Sequence, residues 1–309
     1  MPLLTRGGQV IDPPAPSRTF TESDLRTPTA TYIDPTGQQW PLTTPDLGWV
    51  TLDEVGGLGA VPVEIATDPH PRGGARIRHI QDQPRIINWP LLVWADSHQQ
   101  FLTRWRTLTR AFKLTRRLGP GQLRITRPDG SDREIACTLQ EGFQGEPGQG
   151  ITHDTTVLAL YCEDPYFRDT EPLSLLFTTP APRRFLTGFP ALSSGRVLGD
   201  TDIVNPGEGN AWPLWTLTGP STSLTAINRT LGQSFVLTHR LDAGQAITIT
   251  TDTPTVRGPS GEVLTAALNW PGAVLWGLDS GLNEVTFSVA GATAATAIAL
   301  SFFPRFETA

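Results

Sequence analysis

The sequence predicts a mainly β protein, in which an N-terminal α+β domain is followed by a C-terminal antiparallel β-sandwich. Three observations carry this prediction. The 309 residues include 30 glycines and 28 prolines, which divide the chain into short segments that suit strands and turns. Residues 97–113 alone repeat apolar side chains at convincing helical spacing. In the second half, apolar and polar residues alternate with a period of two, as in strands with one buried face.

Strand-like segments lie on both sides of the predicted helix. Turn signals limit them, such as D-P-T-G at residues 34–37 and P-D-G at residues 128–130. Asp96 or Ser97 can cap the helix, and Gly119 follows its end. Its apolar stripe is expected to pack on a sheet: Phe101, Leu102, Trp105, Leu108 and Phe112. We expect early strands over residues 48–52, 61–66, 75–80, 85–94, 123–126 and 134–139.

A domain boundary is predicted near residue 165, because the composition changes there. Residues 157–162 read V-L-A-L-Y-C, an unbroken apolar run typical of a strand covered on both faces. The tripeptide E-D-P then ends the strand, since proline has no N–H to donate and restricts the residue before it. A bulky aromatic pair follows and can anchor the exit of the strand. The predicted seam between the domains is formed by Asp164, Pro165, Tyr166 and Phe167.

The chain is therefore expected to have four parts. Residues 1–30 are rich in proline and form an N-terminal arm that becomes ordered only against a neighbour. Residues 31–170 form the α+β domain. Residues 171–200, with many Pro, Gly and Ser, form a linker. Residues 201–309 form the β-sandwich, with alternation clearest at residues 245–250 and 284–289.

Eight basic residues follow one another between Asp96 and Asp129 without an intervening acid. Three interpretations are open: a face that meets acidic groups on a neighbouring copy, a solvated face, and a face that binds nucleic acid. The aromatic residues of the helix fall on its predicted buried stripe, so none is left to stack on bases. The candidates for a subunit interface are Arg104, Arg106, Arg110, Arg116 and Arg117.

Composition and motifs argue against several other classes. The net charge of −6 disfavours general attraction to nucleic acid or to anionic membranes, and no apolar run is long enough to span a membrane. The start of the chain does not resemble a secretory signal. Five histidines are scattered, and P-loop and G-x-S-x-G motifs are absent. We predict no catalytic, cofactor or metal site, and no enzyme. Cys137 and Cys162 are expected to be buried free thiols, with a disulfide as the alternative.

Three motifs carry a resemblance to a known family. They are Y-C-E-D-P-Y-F at residues 161–167, N-P-G-E-G-N-A-W-P-L-W-T-L-T-G at residues 205–219, and L-D-S-G-L-N-E-V-T-F at residues 278–287. In this order, with one helix between the early strands, they resemble the distal tail proteins of siphophages, which are bacteriophages with long non-contractile tails. These are also called phage tail or minor tail proteins.

The resemblance implies a structural virion protein at the tail tip. Its N-terminal domain, β-sheets or a split barrel with one packed helix, would form a ring, and its C-terminal domain would be a galectin-like sandwich. Six copies would make a hub that joins the tail tube to the tail-tip and receptor-binding proteins and lets DNA pass. Assembly would take place in the cytoplasm of the host bacterium. No cofactor and no membrane insertion are implied.

A carbohydrate-binding module is the alternative function. Tryptophan rings can stack on sugar faces, and Trp212 and Trp215 are the first candidates, with Trp270 and Trp276 as further ones. Packing in the core or at a subunit contact is the competing interpretation of these rings. The chain lacks the long insertions of carbohydrate-binding members of the family that it resembles.

Overall fold

A computed structural model describes residues 27–144, 152–178 and 199–309 of the chain. In these residues, strands in several antiparallel sheets dominate and helices are few, so the predicted mainly β fold is confirmed. Residues 1–26 of the predicted N-terminal arm and residues 179–198 of the predicted linker lie outside the described part.

The first half of the chain forms a sheet on which one long helix packs. In chain order its elements are β1 (Thr29–Ile33), β2 (Gln39–Pro41), β3 (Trp49–Thr51), β4 (Val63–Pro69), β5 (Ala75–Asp82), β6 (Arg85–Trp94), α1 (His98–Lys113), α2 (Thr115–Leu118), β7 (Gly121–Thr126), β8 (Asp132–Glu141), β9 (His153–Cys162) and β10 (Phe167–Asp169). The main sheet has the order β2-β1-β7-β8-β9-β6-β3, with antiparallel pairing throughout. Strands β4 and β5 pair with each other outside it.

Helix α1 lies on the main sheet as the sequence predicts. The Ser97 side chain accepts a hydrogen bond from the Gln100 amide at 3.3 Å and so caps the first turn. The predicted apolar stripe is buried, apart from a partly exposed Leu102. On this stripe Phe112 stacks on Tyr32 of β1, with ring centroids 4.0 Å apart. The short helix α2, which the sequence analysis did not predict, follows before Gly119.

The second half of the chain forms the predicted antiparallel β-sandwich. Its strands are β11 (Leu173–Thr178), β12 (Asp200–Asn205), β13 (Leu214–Thr218), β14 (Ser221–Asn228), β15 (Gln233–Leu241), β16 (Ala246–Thr250), β17 (Thr255–Arg257), β18 (Gly281–Ala290) and β19 (Ala297–Phe302). One sheet has the order β11-β19-β13-β16-β17 and the other β12-β18-β14-β15. The core between them contains Trp215, Phe235, Trp276 and Phe287.

Two features of the structure differ from the predicted division of the chain. Strand β11 lies within the segment predicted as a linker, and it pairs with β19 in the sandwich. Its Phe177 packs on Phe287, with ring centroids 5.0 Å apart, so this segment packs against the sandwich core. The last strand, β20 (Arg305–Phe306), leaves the sandwich and pairs with β10 of the N-terminal sheet.

Candidate functional surfaces and the domain junction

The β4–β5 hairpin exposes an apolar face. Side chains directly opposite each other in an antiparallel pair share a face, and Ile65 lies opposite Ile80 while Thr67 lies opposite Ile77. Together with Val63 this places four large apolar side chains on one side, each at least half exposed. The other side carries polar residues such as Glu64 and Gln81. A contiguous exposed apolar face of this kind is typical of an interaction site.

A second exposed apolar face lies on the main sheet of the same domain. Strands β6 and β9 pair so that Ile86 lies opposite Tyr161 and Pro90 lies opposite Val157. The side chains of Ile86, Val157 and Tyr161 are exposed, whereas the alternate residues of both strands point into the core. The described residues therefore cover only one face of the run at residues 157–162, which was predicted to be a strand covered on both faces.

The basic residues of the helical region divide into two groups. Arg104 is partly buried, because its guanidinium packs over Gly48 and donates to the backbone carbonyl of Trp94 at 2.5 Å. This interface candidate thus has a role within the subunit. Arg116 is exposed and donates to the Gln140 carbonyl at 3.3 Å. The other candidates are exposed and take part in none of the ion pairs found among the described residues: Arg106, Arg110 and Arg117.

The predicted seam motif lies where the two halves of the chain meet. The carboxylate of Asp164 accepts hydrogen bonds from the Tyr166 amide, at 3.2 Å, and from the guanidinium of Arg305. That guanidinium also lies over the Tyr166 ring, 4.1 Å from its centroid. Pro165 and Phe167 are buried, and Phe167 begins strand β10. The motif therefore contacts the final segment of the chain, residues 305–309.

Arg85, which the sequence analysis did not single out, is buried beneath this final segment. Its guanidinium donates to three backbone carbonyls, those of Gly57 at 3.0 Å, Gly59 at 2.9 Å and Glu307 at 2.8 Å. It also lies 5.2 Å from the ring centroid of Phe167. Burial lowers the pKa of Arg85, but an arginine stays protonated in a protein. The carbonyl oxygens satisfy a charge that would otherwise be costly to bury.

Further contacts hold residues 305–309 on the N-terminal domain. Arg133 donates to the Thr308 carbonyl at 2.7 Å, and its guanidinium lies 3.5 Å from the ring centroid of Phe306. Arg127 donates to the Ala309 carbonyl, and the Ala309 amide donates to the Leu58 carbonyl at 3.2 Å. The final segment is thus held by side chains from several N-terminal strands and loops.

Buried asparagines form hydrogen bonds within and between the other two motifs of the resemblance. Asn205, in the second motif, donates to the carbonyls of Gly209 at 3.0 Å and Leu278 at 3.1 Å. Asn283, in the third motif, accepts from the Asp279 amide at 2.9 Å and from the Asn228 side chain at 3.3 Å. These bonds satisfy buried polar groups and hold the two motifs together.

The second motif also wraps around the final segment. The amides of Glu208 and Gly209 both donate to the Arg305 carbonyl, at 2.7 and 3.0 Å. A Cβ atom at Gly209 would lie 2.6 Å from the Tyr166 ring, so this close approach requires glycine. Turn motifs that lie far apart in the sequence therefore meet at the domain junction.

The tryptophan candidates for sugar stacking have different environments. Trp215 and Trp276 are fully buried in the sandwich core, where their rings meet edge to face with centroids 4.9 Å apart. Packing is thus the observed role of Trp215, whose ring is not accessible to a ligand. Trp212 and Trp270 are exposed over 44% and 53% of their surfaces.

Other reactive groups in the described part of the chain are buried or dispersed. Cys137 and Cys162 are free and buried, and burial raises the pKa of Cys162 to about 12, which leaves an unreactive thiol. Among the described residues, no group of three or more His, Cys, Asp or Glu side chains is placed to hold a metal ion. The helices of the described part are too short or too polar to cross a bilayer.

Comparison with known proteins identifies the fold of this chain. Neither the protein-family models nor the curated proteins include a match to this chain. Among solved structures, the Dit protein of phage SPP1, described as a paradigm of the hub adsorption apparatus in phages that infect Gram-positive bacteria, matches with a TM-score of 0.66 and 13% identity. The match covers 91% of this chain and 100% of that chain. The chain has the fold of a phage distal tail protein.

Two structures of the phage P2 baseplate in its activated conformation, one with calcium and one with strontium, agree with this result. Their TM-scores are 0.52 and 0.53 at 10% identity, over 92% of this chain and 100% of the matched chain. The resemblance seen in the sequence is therefore confirmed for the fold.

Proposed function

We propose that this chain is a structural hub protein of a siphophage tail. The observation that carries the proposal is the fold match to the SPP1 hub protein, which spans that chain completely and includes both domains. The role is one of assembly and involves no catalysis, and its place is the tail tip of the virion.

The exposed surfaces of the N-terminal domain support assembly into a ring. A closed ring of identical copies needs two different patches on each subunit, so that one patch meets the other on the next copy. The apolar hairpin face with Ile65 and Ile80 and the apolar sheet face with Ile86 and Val157 are two such patches. In the proposed ring, the hairpin of one copy packs on the β6–β9 face of its neighbour.

The basic helical face is a further candidate for contact between copies, on the other side of the main sheet from the β6–β9 face. Arg106, Arg110 and Arg117 are exposed, and their helices carry no acid that could neutralise them. Acidic groups on a neighbouring copy would meet them, and such charge pairs improve specificity more than affinity.

The proposed copy number, partners and place of assembly rest on the resemblance to siphophage distal tail proteins. We propose six copies in the ring, docking to the tail tube on one side and to tail-tip and receptor-binding proteins on the other. Genomic DNA would pass through the lumen. Assembly would occur in the cytoplasm of the host bacterium.

The decisive experiment combines mass in solution with images. The purified full chain is examined by sedimentation across a range of concentrations and by electron microscopy, alone and with its phage's tail tube protein. Closed rings with rotational symmetry are the expected result. A chain that stays monomeric in both conditions, and that does not bind the tube protein, would contradict the proposal.

Carbohydrate binding is the second candidate function, since Trp212 and Trp270 expose ring surface on the sandwich. A glycan array with the full chain tests it. Saturable binding that is lost in Trp212→Ala or Trp270→Ala would favour this function.

A further inference from the structure

Tyr166 touches both the β4–β5 hairpin and the segment that returns from the sandwich. Its hydroxyl donates a hydrogen bond of 2.7 Å to the carboxylate of Asp82, the last residue of β5. The guanidinium of Arg305 covers its ring, and Gly209 approaches the same ring closely. One side chain therefore contacts the base of the hairpin, a loop of the sandwich and the segment that leaves the sandwich.

The hairpin is anchored at its base and has no further strand partner among the described residues. Strands β4 and β5 pair with each other and with no further strand there. At the base, the Gln83 amide donates to the Pro62 carbonyl at 2.8 Å and closes the hairpin, and Arg85 just beyond it donates to the Gly59 carbonyl at 2.9 Å. An isolated two-stranded hairpin is marginally stable, so contacts at its base have a large influence on where it points.

We propose that Tyr166 is a positioning residue that fixes the direction of the hairpin and links it to the orientation of the sandwich. The hydrogen bond to Asp82 is the contact on the hairpin side. Arg305, which is also bonded to Asp164 and donates to the Asn210 carbonyl at 2.9 Å, is the contact on the sandwich side. The inference rests on the proposed function for its consequence, which is that the apolar face is presented to the next copy.

The environment of Tyr166 keeps its hydroxyl a hydrogen-bond donor. Burial raises the pKa of Tyr166 to about 12, and the bond to Asp82 adds to the effect. The hydroxyl therefore stays protonated and remains a donor. A hydrogen bond to a carboxylate is stronger than a neutral one, and the Arg305 cation over the ring favours a good donor.

Hydrogen exchange on the dilute, monomeric full chain tests the link. Tyr166→Phe removes the hydroxyl and keeps the ring, so the chain should fold. We expect the amides of residues 63–82 to exchange about tenfold faster, as for the loss of one charge-assisted hydrogen bond, with β6 and β9 unchanged. Tyr32→Phe is the matched control, because the Tyr32 hydroxyl is buried without a partner and far from this contact in the sequence.

A second variant, Asp82→Ala, should reproduce the faster exchange, and the double variant should add little to it. Unchanged hairpin exchange in Tyr166→Phe, or additive effects in the double variant, would overturn the inference. Ring formation is measured separately on the unchanged protein. If that protein forms no ring and does not bind the tube protein, while Tyr166→Phe frees the hairpin, the proposed function fails and the link stands. If that protein forms rings and exchange in Tyr166→Phe is unchanged, the link fails and the proposed function stands.

Discussion

The guanidinium of Arg85 lies 2.8 Å from the backbone carbonyl of Glu307, which is 222 residues further along the chain. This bond joins the start of β6 to the segment that follows the last strand. Because Arg85 also bonds to Gly57 and Gly59, it connects a loop, a sheet and the final segment in one buried cluster. The orientation of the two domains therefore depends on the integrity of this cluster.

Replacement of Arg85 by methionine is expected to destabilise the protein. It keeps much of the apolar volume but leaves three carbonyls without their donor, at a cost of about 3 kcal/mol. Urea unfolding of the full chain measures the effect as a lower midpoint. Arg72→Met, in the exposed turn of the hairpin, is the control and should leave the midpoint unchanged. Equal midpoints for both variants would contradict the assigned role of Arg85.

The apolar hairpin face is expected to drive assembly without stabilising the monomer. Ile80→Asp places a charge in the proposed contact, where its burial without a partner is costly, so association should weaken more than tenfold. Gln81→Asp introduces the same side chain on the opposite face of the same strand. Sedimentation measures association, and thermal unfolding of the dilute protein should give the same Tm for both variants. If both weaken association equally, the hairpin face is not the contact.

Asp34 makes the stability of the N-terminal domain depend on pH. Burial raises the pKa of its carboxyl, but hydrogen bonds from Thr36, Trp40 and Gln38 outweigh burial, and the pKa is lower than usual. A lowered pKa in the folded state contributes stability that is present above the unfolded pKa of about 3.9 and is lost as the pH falls through the folded value.

Asp34→Asn should therefore be less stable at neutral pH and should lose less stability below about pH 4. Unfolding midpoints between neutral and acidic pH measure this dependence. Asp46→Asn, at an exposed position, is the control. Parallel pH profiles for the unchanged protein and for Asp34→Asn would show that the carboxyl has no such role.

The hydroxyl of Tyr32 forms no hydrogen bond with the described residues around it. Its oxygen is fully buried and has no hydrogen-bond partner, while its ring stacks on Phe112. Tyr32→Phe removes a desolvated polar group and keeps the stacking, so its stability should equal or exceed that of the unchanged protein. Tyr32→Ala should lose about 3 kcal/mol with the ring. A clear drop in Tm for Tyr32→Phe would mean that the hydroxyl has a partner in solution.

Local patterns predict the elements of this fold well. The cap at Ser97 and the stripe through Phe112 are local signals, and the helix forms where they indicate. Alternation at residues 245–250 and 284–289 predicts β16 and β18, because one face of each strand meets the sandwich core. The sequence predicts a linker where β11 lies, because the place of β11 in the sandwich depends on pairing with β19, more than 100 residues later.

The candidate surfaces are less accessible to sequence analysis. A period of two places Ile65 and Ile80 on one face of a strand but does not reveal whether another element covers that face. Arg104 and Arg106 look alike in the sequence, yet one faces Trp94 and the other faces solvent. Arg85 bonds to two carbonyls in an earlier loop and to one in the segment that follows the sandwich, and no local pattern indicates these contacts. The end of the strand before Tyr166 is predictable, because proline next to a strand is a local signal, whereas the contact between Tyr166 and Arg305 is not.

The pairing of β10 with β20 has a consequence for how the two domains can vary. The chain leaves the N-terminal sheet after Asp169 and rejoins it at Arg305, and these two strands are neighbours. The sandwich is thus topologically a cassette inserted between adjacent strands, tethered at both ends rather than trailing from one. A domain inserted in this way can be replaced by another domain whose two ends are equally close together, while the N-terminal domain stays unchanged.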